Sequence, residues 1–394
     1  MQNINYKSTL HACYLGYITQ ALIVNLPPLL FVVFREKFGL SYTMLGSLVL
    51  IIFITQLAVD ALAIRSVDKI GHRKCAVAAH LFAAAGMIAL AFLPRILPTP
   101  YAGLVISSVI FSIGGGIIEV LVSPIVESLP GDAKASSMSL LHSFYSWGQV
   151  LVIVLSTFAL LLAGRDMWYL LPLLWAALPV FTCFKFMKVP LMPPQEEEKR
   201  TPLPALMTSG IFLIAMLLMV CSGAAEQAMA QWASLYAEKG LGISKPIGDL
   251  LGPCLFAVMM GIMRTLYGIK GHKINIQKIL LICCVVCIGS FALTALSPVP
   301  ALSLVGCSLC GFAVSLMWPG MLSLTAGGYP SGGVAMFAML ALGGDLGCSA
   351  GPWLTGVAAD YGDLKTGLLT GMVFPAIMLI GLFILQPMLK KKQK

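Results

Sequence analysis

From end to end the chain alternates between apolar runs of 20 or more residues and short polar breaks. A helix rises about 1.5 Å per residue, so about 20 residues cross a hydrocarbon core. Twelve such runs can be drawn, at 9–34, 41–64, 74–93, 101–129, 136–163, 167–188, 204–237, 246–268, 276–297, 299–326, 333–359 and 366–389. The pattern predicts an all-α integral membrane protein, with twelve transmembrane helices in two six-helix bundles. The longest polar break falls at mid-chain, from Pro190 to Pro204, with the charge run Glu196-Glu197-Glu198-Lys199-Arg200 inside it. Prolines and like charges favour a solvated linker. The predicted division is an N-terminal bundle at 1–188, a cytoplasmic linker at 189–203 and a C-terminal bundle at 204–394.

Composition sharpens this picture. The chain is 59% hydrophobic and 10% charged, where a soluble domain carries about 25% charged residues. The net charge of +9 could point to nucleic acid. Its distribution points elsewhere. If the N-terminus is cytoplasmic, eighteen of the 25 Lys and Arg fall on that side of the twelve spans. That is the bias of inner loops, so the expectation is a multi-pass plasma-membrane protein with both termini cytoplasmic and no nucleic-acid partner. The first span is too long for the apolar core of a signal peptide, and no convincing cleavage site follows it.

The eleven cysteines sit mostly inside apolar spans, as Cys283, Cys284 and Cys287 do. Cys307 and Cys310 lack matching His or Cys partners for a metal, so these residues read as small core side chains, and no metal or cofactor is expected. No Gly-x-Ser-x-Gly, His-Glu-x-x-His or phosphate loop is present, which argues against an enzyme. The halves repeat weakly. Gly71-His72-Arg73 corresponds to Gly271-His272-Lys273 at an offset of 200, and Pro124 to Pro319 and Gly148 to Gly343 at 195. A six-plus-six repeat is the organisation of secondary transporters, with solute held near the midplane.

The candidate chemistry centres on Gly114-Gly115-Gly116-Ile117-Ile118-Glu119, followed by Pro124 and Glu127. An ionised acid at a bilayer centre costs about 2.5–3.5 kcal/mol on insertion scales. Glycines let a neighbouring helix come close, and Pro124 favours a kink. Ser112, Gly116, Glu119 and Ser123 form one stripe on the fourth span, and Ser139, His142, Ser146 and Gln149 form another on the fifth. A buried Glu and a His could exchange a proton near neutral pH, although His142 could equally serve a neighbouring hydroxyl near the cytoplasmic end. Glu127 reads as an interfacial or latch residue.

The seventh span offers Glu226, Gln227, Gln231 and Trp232. Amides pair with hydroxyls and aromatic faces stack on sugar rings. Trp318 offers a further face, and Asn25 a polar group in the first span. Asp345, between glycines of the eleventh span, is a second protonation site or an ion-pair partner. Arg264 is expected to snorkel to the cytoplasm rather than neutralise a buried acid. Asp60 shares a face with Gln56 and is assigned to an inner gate.

Asp68-Lys69-Ile70-Gly71-His72-Arg73-Lys74, in the loop after the second span, resembles the signature of the major facilitator superfamily at Asp68, Lys69, Gly71, Arg73 and Lys74. The family's first glycine is Ile64 here. The resemblance implies a charge latch for the outward-facing state, with Asp68 as its acid. Gly115, Glu119 and Pro124 resemble the fucose:proton symporter branch, which implies that Glu119 contacts sugar and takes part in proton coupling. The branch's first-span acid has no counterpart in Asn25-Leu26-Pro27-Pro28. Sugar-transporting relatives place a Glu and a Trp similarly in the seventh span.

Together these readings give a secondary transporter of a small polar solute, a sugar first among candidates, coupled to protons and working by alternating access of two bundles as a monomer. Asn25, Glu119, His142, Gln149, Glu226, Gln227, Gln231, Trp232 and Trp318 would bind solute, and Glu119, Glu226 and Asp345 would couple protons. A proton-driven exporter of drugs or other amphipathic compounds is the alternative. A receptor or scaffold would not need several midplane acids, and would usually carry a sizeable soluble domain.

Overall fold

The computed structural model describes residues 6–129, 134–191, 206–270, 275–328 and 333–392. Some helix positions within these ranges, Asp68, Lys69, Pro124 and Glu127 among them, have side chains outside the described set. So do Gly271, His272, Lys273 and all but the first residues of the expected linker.

Nearly all of the described residues are helical, and they contain no strand. Helices α1 (Lys7–Leu29) and α2 (Phe31–Phe38) form one bent span, followed by α3 (Tyr42–Ile70), α4 (His72–Ile96), α5 (Pro100–Ser128) and α6 (Lys134–Ala163). The sixth span is the pair α7 (Leu170–Trp175) and α8 (Ala177–Lys188). Next come α9 (Gly210–Leu235), the short α10 (Lys245–Asp249) leading into α11 (Leu255–Lys270), and α12 (Ile276–Leu296). The chain closes with α13 (Pro300–Val314) and α14 (Met317–Gly328), α15 (Gly333–Tyr361), then α16 (Leu364–Gly371) and α17 (Val373–Lys392). Among the described residues ten segments are long and apolar enough to cross a membrane, and the α1–α2 pair makes eleven. With α15, 29 residues long, the architecture is the expected twelve-helix one.

Local chemistry explains the breaks. Pro27 and Pro28 remove two backbone donors inside α1, and the path turns by 42° into α2. Gly39 ends α2 in the left-handed conformation at φ 64°, and Gly71 at φ 94° makes the turn between α3 and α4. Wide turns prolong α9 at Tyr236–Gly240 and precede α11 at Leu250–Cys254. Such turns displace the helical register and recur at functional sites.

Two compact units result, residues 1–40 with 51–196, and residues 41–50 with 197–394. Lipid tails are as apolar as side chains, so helix pairing relies on small residues and close backbone approach. In the first unit α4 lies tightly on α5. A methyl on Gly86 would strike the Phe111 backbone, and one on Gly114 would strike the Ala79 carbonyl. In the second unit α9 and α15 meet the same way, with Gly223 against the Gly344 carbonyl and Gly347 against the Val220 carbonyl. Large apolar side chains such as Leu62, Leu162, Phe184 and Ile380 point outward. On a chain this apolar, that surface suits acyl chains. All eleven cysteines are free and buried.

Candidate functional site

In the first unit the glycine triplet divides its close contacts. Gly114 faces α4, while Gly115 and Gly116 face α3 and α1. A side chain on Gly115 would collide with Gln56 Nε2 and Gln20 Oε1, and one on Gly116 with the Gln56 carbonyl and Val59. The missing side chains let two amide head groups lie directly on the α5 backbone. One turn further, Gln20 Nε2 donates to Glu119 Oε2 at 3.2 Å. Asp60, one turn beyond Gln56 on α3, lies within electrostatic reach of Glu119. Glu119 is partly exposed, whereas Gln20, Gln56 and Asp60 are buried. Asp60, read from the sequence as part of an inner gate, thus lies in the neighbourhood of Glu119.

Tyr17 extends the cluster. Its hydroxyl shares a 2.9 Å hydrogen bond with Ser123 Oγ, and its ring stands edge-on to His142 with centroids 5.3 Å apart. His142 is itself exposed. Gln149 is buried beside the place where Gly148 of α6 meets Ile18 and Ala21 of α1. Asn25 is buried and donates to the Ala21 carbonyl of its own helix at 2.8 Å. Gly71 supplies the left-handed turn, and Arg73 grips the end of α8. Its Nη1 donates to the Phe186 and Met187 carbonyls at 2.9 and 2.6 Å, and its Nη2 to the Val189 carbonyl at 2.8 Å. A guanidinium at unpaired terminal carbonyls is favourable in charge and in geometry. Lys74 is exposed.

In the second unit Glu226, on α9, accepts from Arg264 Nη2 at 3.2 Å, and Arg264 Nε donates to the Ser315 carbonyl at 3.4 Å. Ser315 lies at the break between α13 and α14, where helix carbonyls lose their partners. The expected snorkelling of Arg264 is thus overturned, since a paired carboxylate and an open carbonyl hold it inside. Gln231 Nε2 donates to Gln227 Oε1 at 2.8 Å, joining two buried amides one turn apart. Trp232 has no exposed surface. Its indole N–H donates to the Pro352 carbonyl at 2.9 Å, and Gly46, Gly356 and Tyr42 close around its ring. In this structure the ring is packed and not open. Trp318 packs so closely on α15 that a side chain at Gly344 would strike its ring, beside buried Asp345.

Sequence reasoning missed two features. Gln20 is a lone amide in an apolar run and belongs to no stripe. Lys245, expected in an outer loop, is buried against Asp249, with Nζ–Oδ2 3.0 Å, and donates to Ser234 Oγ at 3.1 Å. Its spacing of four from Asp249 was the available signal. Among the described residues no group of His, Cys, Asp and Glu could hold a metal ion.

The family described as Major Facilitator Superfamily matches residues 13–352. No curated protein matches the chain. Among solved structures, a D-xylose-proton symporter superposes with a TM-score of 0.77 at 16% identity, covering 96% of each chain. The nucleoside transporter NupG gives 0.75 at 14% identity, covering 96% of this chain and 99% of that one. A variant of the E. coli fucose:proton symporter FucP gives 0.66 at 15% identity, covering 96% and 99%. At these identities the likeness is one of fold.

Proposed function

This chain belongs to the major facilitator superfamily, and from that premise we propose that it carries a small polar solute, of the sugar or nucleoside kind, across the plasma membrane by alternating access coupled to protons. Membership makes it a membrane transporter and not an enzyme. The observation that carries the finer reading is the Gln20–Glu119 contact at 3.2 Å, with Gln56 and Asp60 beside it. A carboxylate held by amides inside a membrane helix offers both hydroxyl recognition and a proton acceptor. The fold relatives, two sugar:proton symporters and a nucleoside transporter, support the solute class. Glu226, Gln227, Gln231 and Asp345 provide a second set of polar groups. The proposed topology places both termini in the cytoplasm, which puts the Asp68-to-Lys74 loop there as a latch, and the proposed working form is a monomer.

Uptake by proteoliposomes tests the reading. Purified protein is expected to accumulate a labelled pentose, hexose or nucleoside under an inward proton gradient, and much less without one. Glu119→Gln is expected to lower gradient-driven accumulation by about tenfold or more, equivalent to about 1.4 kcal/mol. Accumulation unchanged in Glu119→Gln removes that residue from coupling. Transport of hydrophobic cations with no sugar or nucleoside uptake replaces the reading with that of an exporter.

A further inference from the structure

Among the described residues, Asp60 is the one charge of the first unit's polar cluster that the Gln20–Glu119 contact leaves without a role. Three buried polar atoms here have no hydrogen-bond partner among the described residues: Gln56 Nε2, Gln20 Oε1 and Asp60 Oδ1. Their residues are 2%, 5% and 6% exposed. The geometry explains why they meet. Successive spans alternate in direction, so α3 and α5, the second and fourth, run the same way. Gln56 lies on Gly115 and Gly116. One turn onward along each helix brings Asp60 level with Glu119, and the two interact electrostatically. Among the described residues neither carboxylate has a cationic partner.

Groups from every helix around Glu119 belong to the same account. Helix α1 presents Tyr17 and Gln20, α3 presents Gln56 and Asp60, and α6 presents His142 against Tyr17. Helix α4 places buried His80 beside Gly16, its Nδ1 2.7 Å from the Ala76 carbonyl. Arg65 and Lys69 follow Asp60 along α3, with side chains outside the described set. Two carboxyl groups at one level on neighbouring helices can hold one proton between them, and that proton belongs to the pair. An unpartnered amide N–H at Gln56 and an unpartnered amide oxygen at Gln20 suit such a pair. The first can donate to a carboxylate and the second can accept from a carboxylic acid.

We propose that Asp60 and Glu119 form a carboxyl pair that binds one exchangeable proton, flanked by the Gln20 and Gln56 amides. Taking up H+ neutralises one carboxylate, and releasing it to water restores the second, with no other bond changed. The pair supplies the proton site that Glu119 alone carried in the functional reading above. It rests on that reading only for its consequence in transport, since the shared proton is a property of the protein without solute.

The test is pH-difference infrared spectroscopy of the full-length protein in lipid nanodiscs, with no solute and no gradient. Wild type is expected to show the carbonyl stretch of a protonated carboxyl that vanishes as pH is raised. Both Asp60→Asn and Glu119→Gln are expected to remove that band over the same pH range, and Asp60→Glu is expected to keep it. Circular dichroism and a monodisperse elution profile confirm that each variant is folded. Two independent bands, one surviving in each single variant, overturn the proposal, as does a band lost in Glu119→Gln but unchanged in Asp60→Asn. Should Asp60→Asn fail to fold, Asp60→Glu decides alone, because loss of the band in that folded variant also overturns the pair. Failure of sugar uptake leaves this measurement untouched, so the two readings fail separately.

Discussion

Arg264 holds its place because an unpaired acid inside the bundle would cost more than an arginine with a partner. Removing only the cation strands the acid. Arg264→Met is therefore expected to destabilise the protein by on the order of 3 kcal/mol, seen as a lower unfolding midpoint in detergent. Adding Glu226→Gln to that variant is expected to recover most of the loss, which a purely steric role for Arg264 would not allow. Gly115 makes a second residue-scale prediction. Gly115→Val places methyls where Gln20 and Gln56 lie, so uptake is expected to fall at least about tenfold while the far-UV spectrum stays unchanged. Glu119 was legible in the sequence because a lone acid in an apolar run is costly wherever it lies. Gln20 was not, because an uncharged amide carries little penalty and its partner is 99 positions away. Arg264 was misread because sequence gives only its distance from a helix end, and Ser315 and Glu226 come from other helices.

Helices have ends, and the ends here are capped by unlike means. The start of α3 receives Ser41 Oγ at the Met44 N–H, 3.1 Å, and the Asp360 carboxylate at the Tyr42 and Thr43 N–H groups, 2.9 and 2.6 Å. An acid at a helix N-terminus meets both orphan donors and the macrodipole. Asp360→Ala is expected to cost about 1–2 kcal/mol, and Asp360→Asn less, by thermal unfolding. Asp363 caps α16 through the Thr366 N–H at 2.8 Å. These bonds to Thr366 hold its carboxyl below the usual carboxylate range. A depressed acid contributes stability above its unfolded value, about 3.9, that is lost as pH falls through the folded value. Wild type is thus expected to lose this contribution only below about pH 4, whereas Asp363→Asn keeps the cap and shows no such step. The spans themselves were legible from apolar runs, since 74–93 became His72–Ile96 and 276–297 became Ile276–Leu296. The 42° bend in the first span was not, because Pro27 and Pro28 announce a fault without its angle. Asp360 and α3 could not be joined on paper either, with 318 positions between Asp360 and Tyr42.

At the scale of the molecule, apolar content decided the architecture before any residue was weighed. A chain 59% hydrophobic with regular polar breaks has little choice but to cross a membrane repeatedly. What the breaks could not convey is which small residues join which helices. Gly114 and Gly116 are neighbours in sequence and yet serve α4 and α3 respectively. The loop charges illustrate the same point. Lys37 and Asp166 pair at 2.6 Å, which holds the acid below its ordinary range, but both lie in solvent enough for salt to screen them. Lys245, counted with such loop charges, is buried with Asp249 instead. The burial of all eleven thiols has a practical outcome. A maleimide that cannot permeate lipid should find almost nothing to react with on the natural protein, so a single added cysteine reports its own address. Asp166→Cys is expected to label on intact cells and Lys188→Cys only after permeabilisation. The opposite order would turn the proposed topology inside out, and either result comes without first stripping the native cysteines away.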